Sequence, residues 1–317
     1  MRIAVIGGTG HVGTYMVPQL VELGHEVICI SRRKREPYQP HAAWGRVRHV
    51  TIDRKEAEAA GRFGSQVAEL GADVVIDMIC FSLDSARQTV EALAGRVRHF
   101  LHCGTAWVHG HSVEVPTTEE RPRRPLGEYG IAKAAIEDYL LGQARREGFP
   151  ATVIHPGHIV GPGWPPINPA GNLNLAVLAA LANGEEVILP NLGMETLHHV
   201  HAADVAQLFV RAIHCWSSSV GEAFHAVSPA ALTLRGYAEA VAGWFGKEAR
   251  LRFVPCEEFK AASSQADADC TWDHIAHSPN CSIAKASRLL DWRPRYTSLQ
   301  AIRESVDWLI MHGRLAI

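Results

Sequence analysis

Tyr129 and Lys133 stand four residues apart in the stretch EYGIAK, at 128 to 133. On a helix, positions i and i+4 share one face, so the ammonium would lie beside the phenol. A cation there favours a phenolate and lowers the tyrosine pKa toward working pH, as does an oxidised nicotinamide. Such a tyrosine gives a proton to a carbonyl oxygen or takes one from an alcohol. A Tyr-Lys pair alone is common, so its meaning depends on what the rest of the chain builds around it.

A second set of residues supplies the redox partner. Gly7, Gly10 and Gly13 follow the apolar run RIAVI at GxxGxxG spacing. Val12, Met16, Val17, Leu20 and Leu23 then recur at helical spacing, and Gly24 closes the helix. Strand, glycine turn and helix in this order cradle a dinucleotide. One glycine makes the tight turn, one admits the pyrophosphate, and one lets the helix pack, with the helix N-terminus facing the phosphates. Thr9, His11 and Val12 join these glycines as expected cofactor contacts.

The end of the second strand, VICI, chooses the nucleotide. An NAD-specific unit has Asp or Glu there for the ribose hydroxyls. This chain has Ser31, Arg32, Arg33, Lys34 and Arg35. Cationic donors suit a 2′-phosphate, so NADP(H) is expected over NAD(H), held by Ser31, Arg32 and Arg33. Asp53, closing the third strand, is expected at the adenine with Arg54 beside it.

Alternating elements must position these groups. VRHVTID, DVVIDMIC and RHFLHCGT read as strands, and RKEAEAAGRFGSQVAEL and SLDSARQTVEALAG as mostly helical. That rhythm implies an α/β fold with a doubly wound parallel (Rossmann) sheet. After residue 155 it loosens, which suits a smaller C-terminal substrate-binding lobe. The expected division is a dinucleotide-binding domain over 1–157, with 200–230 returning to it. Residues 158–199 and 231–317 form the lobe.

Bulk composition narrows the class. The chain has 317 residues, 47% of them hydrophobic, and a net charge of −2. Nothing in that balance favours nucleic acid or an anionic membrane. Seven scattered cysteines read as reduced thiols, and MRIAVIGG runs straight into a strand, so a cytoplasmic protein is expected.

The chain resembles the extended short-chain dehydrogenase/reductases, also called the NAD-dependent epimerase/dehydratase family. GGTGHVG, VIDMIC, HFLHCGTAWVHG, PLGEYGIAK, IHPGHIVGPG, HHVHAADVA and SRLLDWRPRYTSLQAIRESVDWL carry the likeness in this order. The resemblance implies a catalytic trio of Thr105, Tyr129 and Lys133, with Tyr129 and Lys133 also touching cofactor. Met78, Ile79 and Pro156 are the further cofactor contacts it implies. It also implies a homodimer through the Tyr129 helix and the helix before it.

Departures from the family pattern bear on substrate. Sugar-nucleotide members often have a diphosphate-holding arginine near the place of Leu197, and a second one ahead of the last lobe segment. Here DADCTWDHIAHSPNCS contains no Arg or Lys. Trp107, His158, Trp164 and His199 are the expected substrate contacts, suiting a compact, partly apolar or hydroxylated molecule. Cys270, His274, His277 and Cys281 have spacing that could hold zinc, but the chemistry needs no metal; a flexible loop over the cleft is the expectation, with no metal site.

The sequence therefore predicts an NADP(H)-dependent oxidoreductase interconverting a carbonyl and a secondary alcohol on a small or medium-sized non-nucleotide substrate. An epimerase or dehydratase acting on a sugar or sugar nucleotide is the alternative within the same fold. A non-catalytic sensor or RNA-binding protein is the reading from another class, disfavoured by the complete trio.

Overall fold

The computed structural model describes residues 1–32 and 36–317. Six strands arise in chain order: β1 (Arg2–Ile6), β2 (Glu26–Ser31), β3 (Arg48–Thr51), β4 (Val74–Asp77), β5 (His99–Cys103) and β6 (Ala151–Pro156). A seventh, Ala223–Ala226, returns late to the same sheet. Their lateral order is Ala223–Ala226, β6, β5, β4, β1, β2, β3, with every pair parallel.

This order has a physical consequence. The chain runs outward from β1 through β2 to β3, then restarts on the other side at β4. Connections leave β1 and β4 in opposite directions, opening a crevice at their carboxyl ends where ligands of such sheets bind. The glycine turn after β1 and the Met78–Ile79 turn after β4 flank that crevice.

Residue alternation in β1 explains the layers. Ile3 and Val5 pack into one apolar cluster with Met16, Val17 and Leu20 of the first helix and with Val205 and Phe209. Ala4 and Ile6 face the opposite cluster, with Phe63, Leu93, Ile136 and Leu140. Successive strand side chains point to opposite faces, so one strand serves two cores. A third cluster joins Leu178, Leu189, Leu197, Tyr237, Val241, Ile302 and Val306. Leu290 and Trp292, although late in the chain, pack with the sheet cluster instead.

One expectation is corrected here. The segment around Cys270 to His277 is no flexible loop: Gln265–His277 is an α-helix. Ser264 caps it by accepting from the Asp267 N–H at 3.2 Å. Ala268, Thr271 and Ile275 bury at helical spacing, which supplies the energy that the mixed polarity conceals. No disulfide joins any of the seven cysteines. Among the described residues no helix is long and apolar enough to cross a membrane.

Candidate active site

The glycine turn is shaped for a close backbone approach. Gly7 has φ +80°, and a Cβ there would meet Ile79 at 2.9 Å. A Cβ on Gly13 would stand 2.0 Å from the Gly8 carbonyl oxygen, so only glycine lets the first helix (His11–Glu22) start against the loop. Thr9 and Gly10 line a cleft of about 670 Å³, together with Ser31, Arg32, Asp53 and Arg54. Phe63 and Phe81 give that cleft apolar walls. Dimensions, aromatic walls and the narrow glycine cradle fit the adenosine half of a dinucleotide.

The expected cofactor residues divide by what they already do. Asp53 accepts from the Lys55 and Glu56 N–H groups at 3.1 and 3.3 Å, capping the helix Arg54–Ala59. Arg54 is committed to protein: Nη1 donates to both Asp77 oxygens at 2.7 and 2.9 Å, and Nε to Glu58 at 2.6 Å. Asp77 also accepts from the Ile79 N–H at 3.1 Å, which sets the turn after β4. Met78 donates its N–H to the Ile6 carbonyl at 3.1 Å. The Val12 side chain is buried in the sheet cluster, leaving its backbone toward the turn. Pro156 ends β6, paired with Ala226. Arg33 lies outside the described residues.

The trio assembles from two elements. Tyr129 and Lys133 share the helix Gly127–Arg146. Thr105 follows β5 and accepts from the Trp107 N–H at 3.3 Å, capping the short 3-10 turn Ala106–His109. The Thr105 hydroxyl stands close enough to the Tyr129 phenol to pull its pKa down. Burial, then Cys103, push that phenol up to about 12, against the pull of Thr105.

Lys133 is placed differently from the simple expectation. Its Nζ donates to the backbone carbonyls of Cys80 and Cys103, both at 2.8 Å. It lies 5.9 Å from the Tyr129 ring centre and 4.6 Å from that of Phe81. Burial pushes the ammonium below the usual lysine value. The protein alone therefore keeps the phenol protonated, and the expected lowering by Lys133 is not seen in it. The ammonium is held by two main-chain carbonyls and makes no hydrogen bond to the phenol.

A wall of rings stands over the trio. Trp107 meets Tyr129 edge-on at 6.0 Å and stacks on His277 at 4.1 Å. His274 lies 5.2 Å from Trp107 and 4.9 Å from His158. Both ring nitrogens of His158 are buried without a hydrogen-bond partner among the described residues. Burial, then His274, hold this imidazole neutral, well below the usual value. His199 sits one layer behind, bonded through Nε2 to the Ile167 carbonyl at 3.0 Å and packed on His158 at 5.5 Å. Trp164 goes elsewhere: it stacks on His11 at 5.0 Å, beside Tyr38, over the glycine turn. Among the expected substrate contacts, then, Trp107 is brought to Tyr129 and His158 to Trp107 at 6.5 Å, while Trp164 stacks elsewhere.

Two kinds of residue escaped the sequence reading. His274 and His277 were legible only as possible metal ligands; their three-residue spacing on one helical face was the missed signal. The Cys80 and Cys103 carbonyls carry no sequence signal, because any residue supplies a carbonyl.

The comparisons with known proteins agree with the fold. The model of the NAD dependent epimerase/dehydratase family matches residues 3–225. A 2′-dehydrokanamycin reductase of Streptomyces kanamyceticus is 27% identical, over 99% of this chain and 86% of its own. A chloroplast stem-loop binding protein of 41 kDa from Arabidopsis thaliana is 26% identical, over 96% of this chain and 78% of its own. The solved UDP-glucose 4-epimerase of Thermotoga maritima has the same fold, with a TM-score of 0.74 over 99% of this chain and 100% of that one at 19% identity.

Proposed function

The chain belongs to the NAD-dependent epimerase/dehydratase family, an oxidoreductase group built on nicotinamide cofactors, and from that premise we propose that it is an NADP(H)-dependent reductase of a small or medium-sized carbonyl compound. The observation that carries the reading is the Thr105 hydroxyl set against the Tyr129 phenol, beside a cation pinned at the Cys80 and Cys103 carbonyls.

The nicotinamide, when bound, supplies or accepts the hydride. The chain's own residues do the rest. The Thr105 oxygen accepts from the Trp107 N–H, and its hydroxyl, beside the Tyr129 phenol, can turn its proton to the substrate oxygen when one is bound. Tyr129 donates its proton to that oxygen during reduction and recovers it during oxidation. Lys133 adds a fixed positive charge that favours the phenolate after transfer. Tyr129, Lys133, Gly7, Thr9, Gly10 and Ile79 are proposed cofactor contacts, joined by the backbones of His11, Val12 and Gly13, and by Met78 and Pro156. Ser31 and Arg32 at the nucleotide end, where an NAD-specific unit has an acid, favour NADP(H); Asp53 faces the same cleft.

The ring wall favours a compact, hydroxylated substrate. Two unpaired imidazole nitrogens on His158 can accept or donate to hydroxyls, while Trp107 stacks on an apolar face. Leu197, near where sugar-nucleotide enzymes often carry an arginine, is fully buried in the third cluster. The name of the kanamycin-related relative describes a net reduction, which points the same way. We infer that residues 158–199 and 231–317 form the lobe that closes over this cleft, and that the protein acts as a cytoplasmic homodimer paired through the Gly127–Arg146 helix.

The test begins with the nucleotide. Denatured protein is analysed for released cofactor, and the remaining protein is titrated with NADPH and NADH before a carbonyl panel. Exchangeable NADPH binding at least tenfold tighter than NADH, with net turnover of a carbonyl, is expected. Tightly retained NAD with no net consumption would move the chain to the epimerases. Salt-sensitive RNA binding without turnover would move it to the stem-loop binding reading.

A further inference from the structure

Behind the trio lies a second cluster that the proposed reaction does not use. His109 ends the 3-10 turn Ala106–His109, His155 lies on β6, and His225 on the neighbouring strand Ala223–Ala226. All three imidazoles are buried, and one nitrogen of each lies within 4.8 Å of the other two. We propose that His109, His155 and His225 bind one divalent transition ion, zinc first, as a structural site locking the catalytic turn to the sheet.

Nitrogen-by-nitrogen accounting supports this. His225 directs Nδ1 at the Ser282 carbonyl, 3.2 Å away, which leaves Nε2 for the centre. His155 directs Nε2 at the Glu137 carboxylate, 3.0 Å away, and its Nδ1 is buried with no partner among the described residues. Arg123 in turn holds Glu137, its Nε donating at 3.2 Å. A metal-bound imidazole commonly gives its other N–H to a carboxylate or a backbone carbonyl, and two of these three rings have that support. His109 directs Nε2 at His225 Nε2, 2.8 Å away. Glu119 brings a second buried carboxylate to 3.8 Å from His225 Nδ1, offsetting the charge of a cation.

The geometry requires only small movement. Metal–nitrogen bonds of about 2.0–2.1 Å in a tetrahedron put ligand nitrogens about 3.3 Å apart. The His109–His225 contact of 2.8 Å would open by about half an ångström on that geometry. Imidazole suits zinc, copper and nickel better than magnesium or calcium. Gly104 shows how tightly the site is enclosed: a Cβ there would meet His155 Cδ2 at 2.8 Å.

The consequence is mechanical. Thr105 and Trp107 belong to the same turn as His109, so an ion on His109 fixes the loop bearing the substrate-oxygen anchor. This inference does not depend on the cofactor or the substrate.

The experiment uses the full-length protein stripped with a chelator, then titrated with zinc under chelator competition and separately with cobalt(II). One ion per chain with a Kd below about 1 µM is expected, with the visible d–d bands of low-coordinate cobalt and no thiolate charge-transfer band. His109→Gln and His225→Gln, checked for folding by circular dichroism and size-exclusion chromatography, should weaken the metal at least a hundredfold. Cys270→Ser should leave it unchanged. Wild-type protein that takes up no metal overturns the proposal whatever the variants do. A thiolate band, or loss of metal in Cys270→Ser, overturns it by locating the ion in the other cluster.

Discussion

At the scale of single residues, the Tyr129 phenol decides most. On the proposed mechanism, replacing it by Phe removes the proton donor and leaves the cofactor cleft intact. Turnover should fall by about 10²–10⁴-fold with NADPH affinity held within a factor of a few. Single-turnover kinetics and a binding titration together check this, and undiminished turnover would remove Tyr129 from the mechanism. A pH dependence follows from its raised pKa of about 12. The protonated form, needed for reduction, prevails throughout the neutral range. Alcohol oxidation needs the ionised form, so its rate should climb with pH, tenfold per unit, until the phenol titrates. A flat oxidation profile in wild-type protein would contradict the assignment. Arg32 offers a second test. A charge-assisted bond to a 2′-phosphate contributes about 1.5–3 kcal/mol, so Arg32→Ala should weaken NADPH by about 10–100-fold and hardly touch NADH. Equal weakening of both would show that Arg32 holds something other than the 2′-phosphate.

At the scale of elements, legibility tracked the reach of the determining forces. The glycine turn, the sheet strands and the Tyr129 helix were readable because each is set by local pattern and turn chemistry. Gln265–His277 was not, because its polar composition hides the buried stripe of Ala268, Thr271 and Ile275. The place of Trp164 was not legible because an aromatic in a Pro/Gly-rich loop carries no direction; its stacking on His11 is a long-range event. The histidine trio was invisible for a similar reason. Its members come from three separated segments that only sheet order brings together. One tertiary device ties late elements to early ones. Asp204, fully buried at the start of the helix Ala202–His214, accepts from the Arg295 and Tyr296 N–H groups at 3.0 and 3.1 Å. Asp204→Ala leaves both donors unsatisfied and should cost about 2–4 kcal/mol. A denaturant midpoint within experimental error of wild type would show that water replaces the carboxylate.

At the scale of the whole molecule, the histidine content becomes a stability statement. More than half of the 18 histidines are buried. Burial holds His11 and His199 near about 3, and His99, His198 and His201 near about 4. Each ring is neutral in the fold and takes up a proton on unfolding once pH drops below 6.5. Stability is therefore full above that value and declines as pH falls, until the folded rings also protonate. Each ring contributes up to about 1.4 kcal/mol per pH unit once pH is well below 6.5, so two alone would remove about 3 kcal/mol between pH 6.5 and 5. Glu137 behaves oppositely in range: burial resists its ionisation, but His155 and then Arg123 hold it well below the usual carboxylate value, so its share is lost only in stronger acid. The melting temperature should drop by about 10 °C or more between pH 7 and 5. A midpoint that stays level over that interval would mean these rings are protonated in the fold.

Lys133 is bonded to the main chain at Cys80 and Cys103 and to no neighbouring side chain through its Nζ among the described residues. A carbonyl survives every substitution of the residue that owns it. The charge at the centre of the site is thus anchored to features that mutation at those two positions does not erase. Thiol-directed reagents, too, meet only buried cysteines there, with Cys80 pushed up to about 12 by burial and Asp77. A protein engineer can therefore redraw the ring wall around Tyr129 while the cation keeps its coordinates.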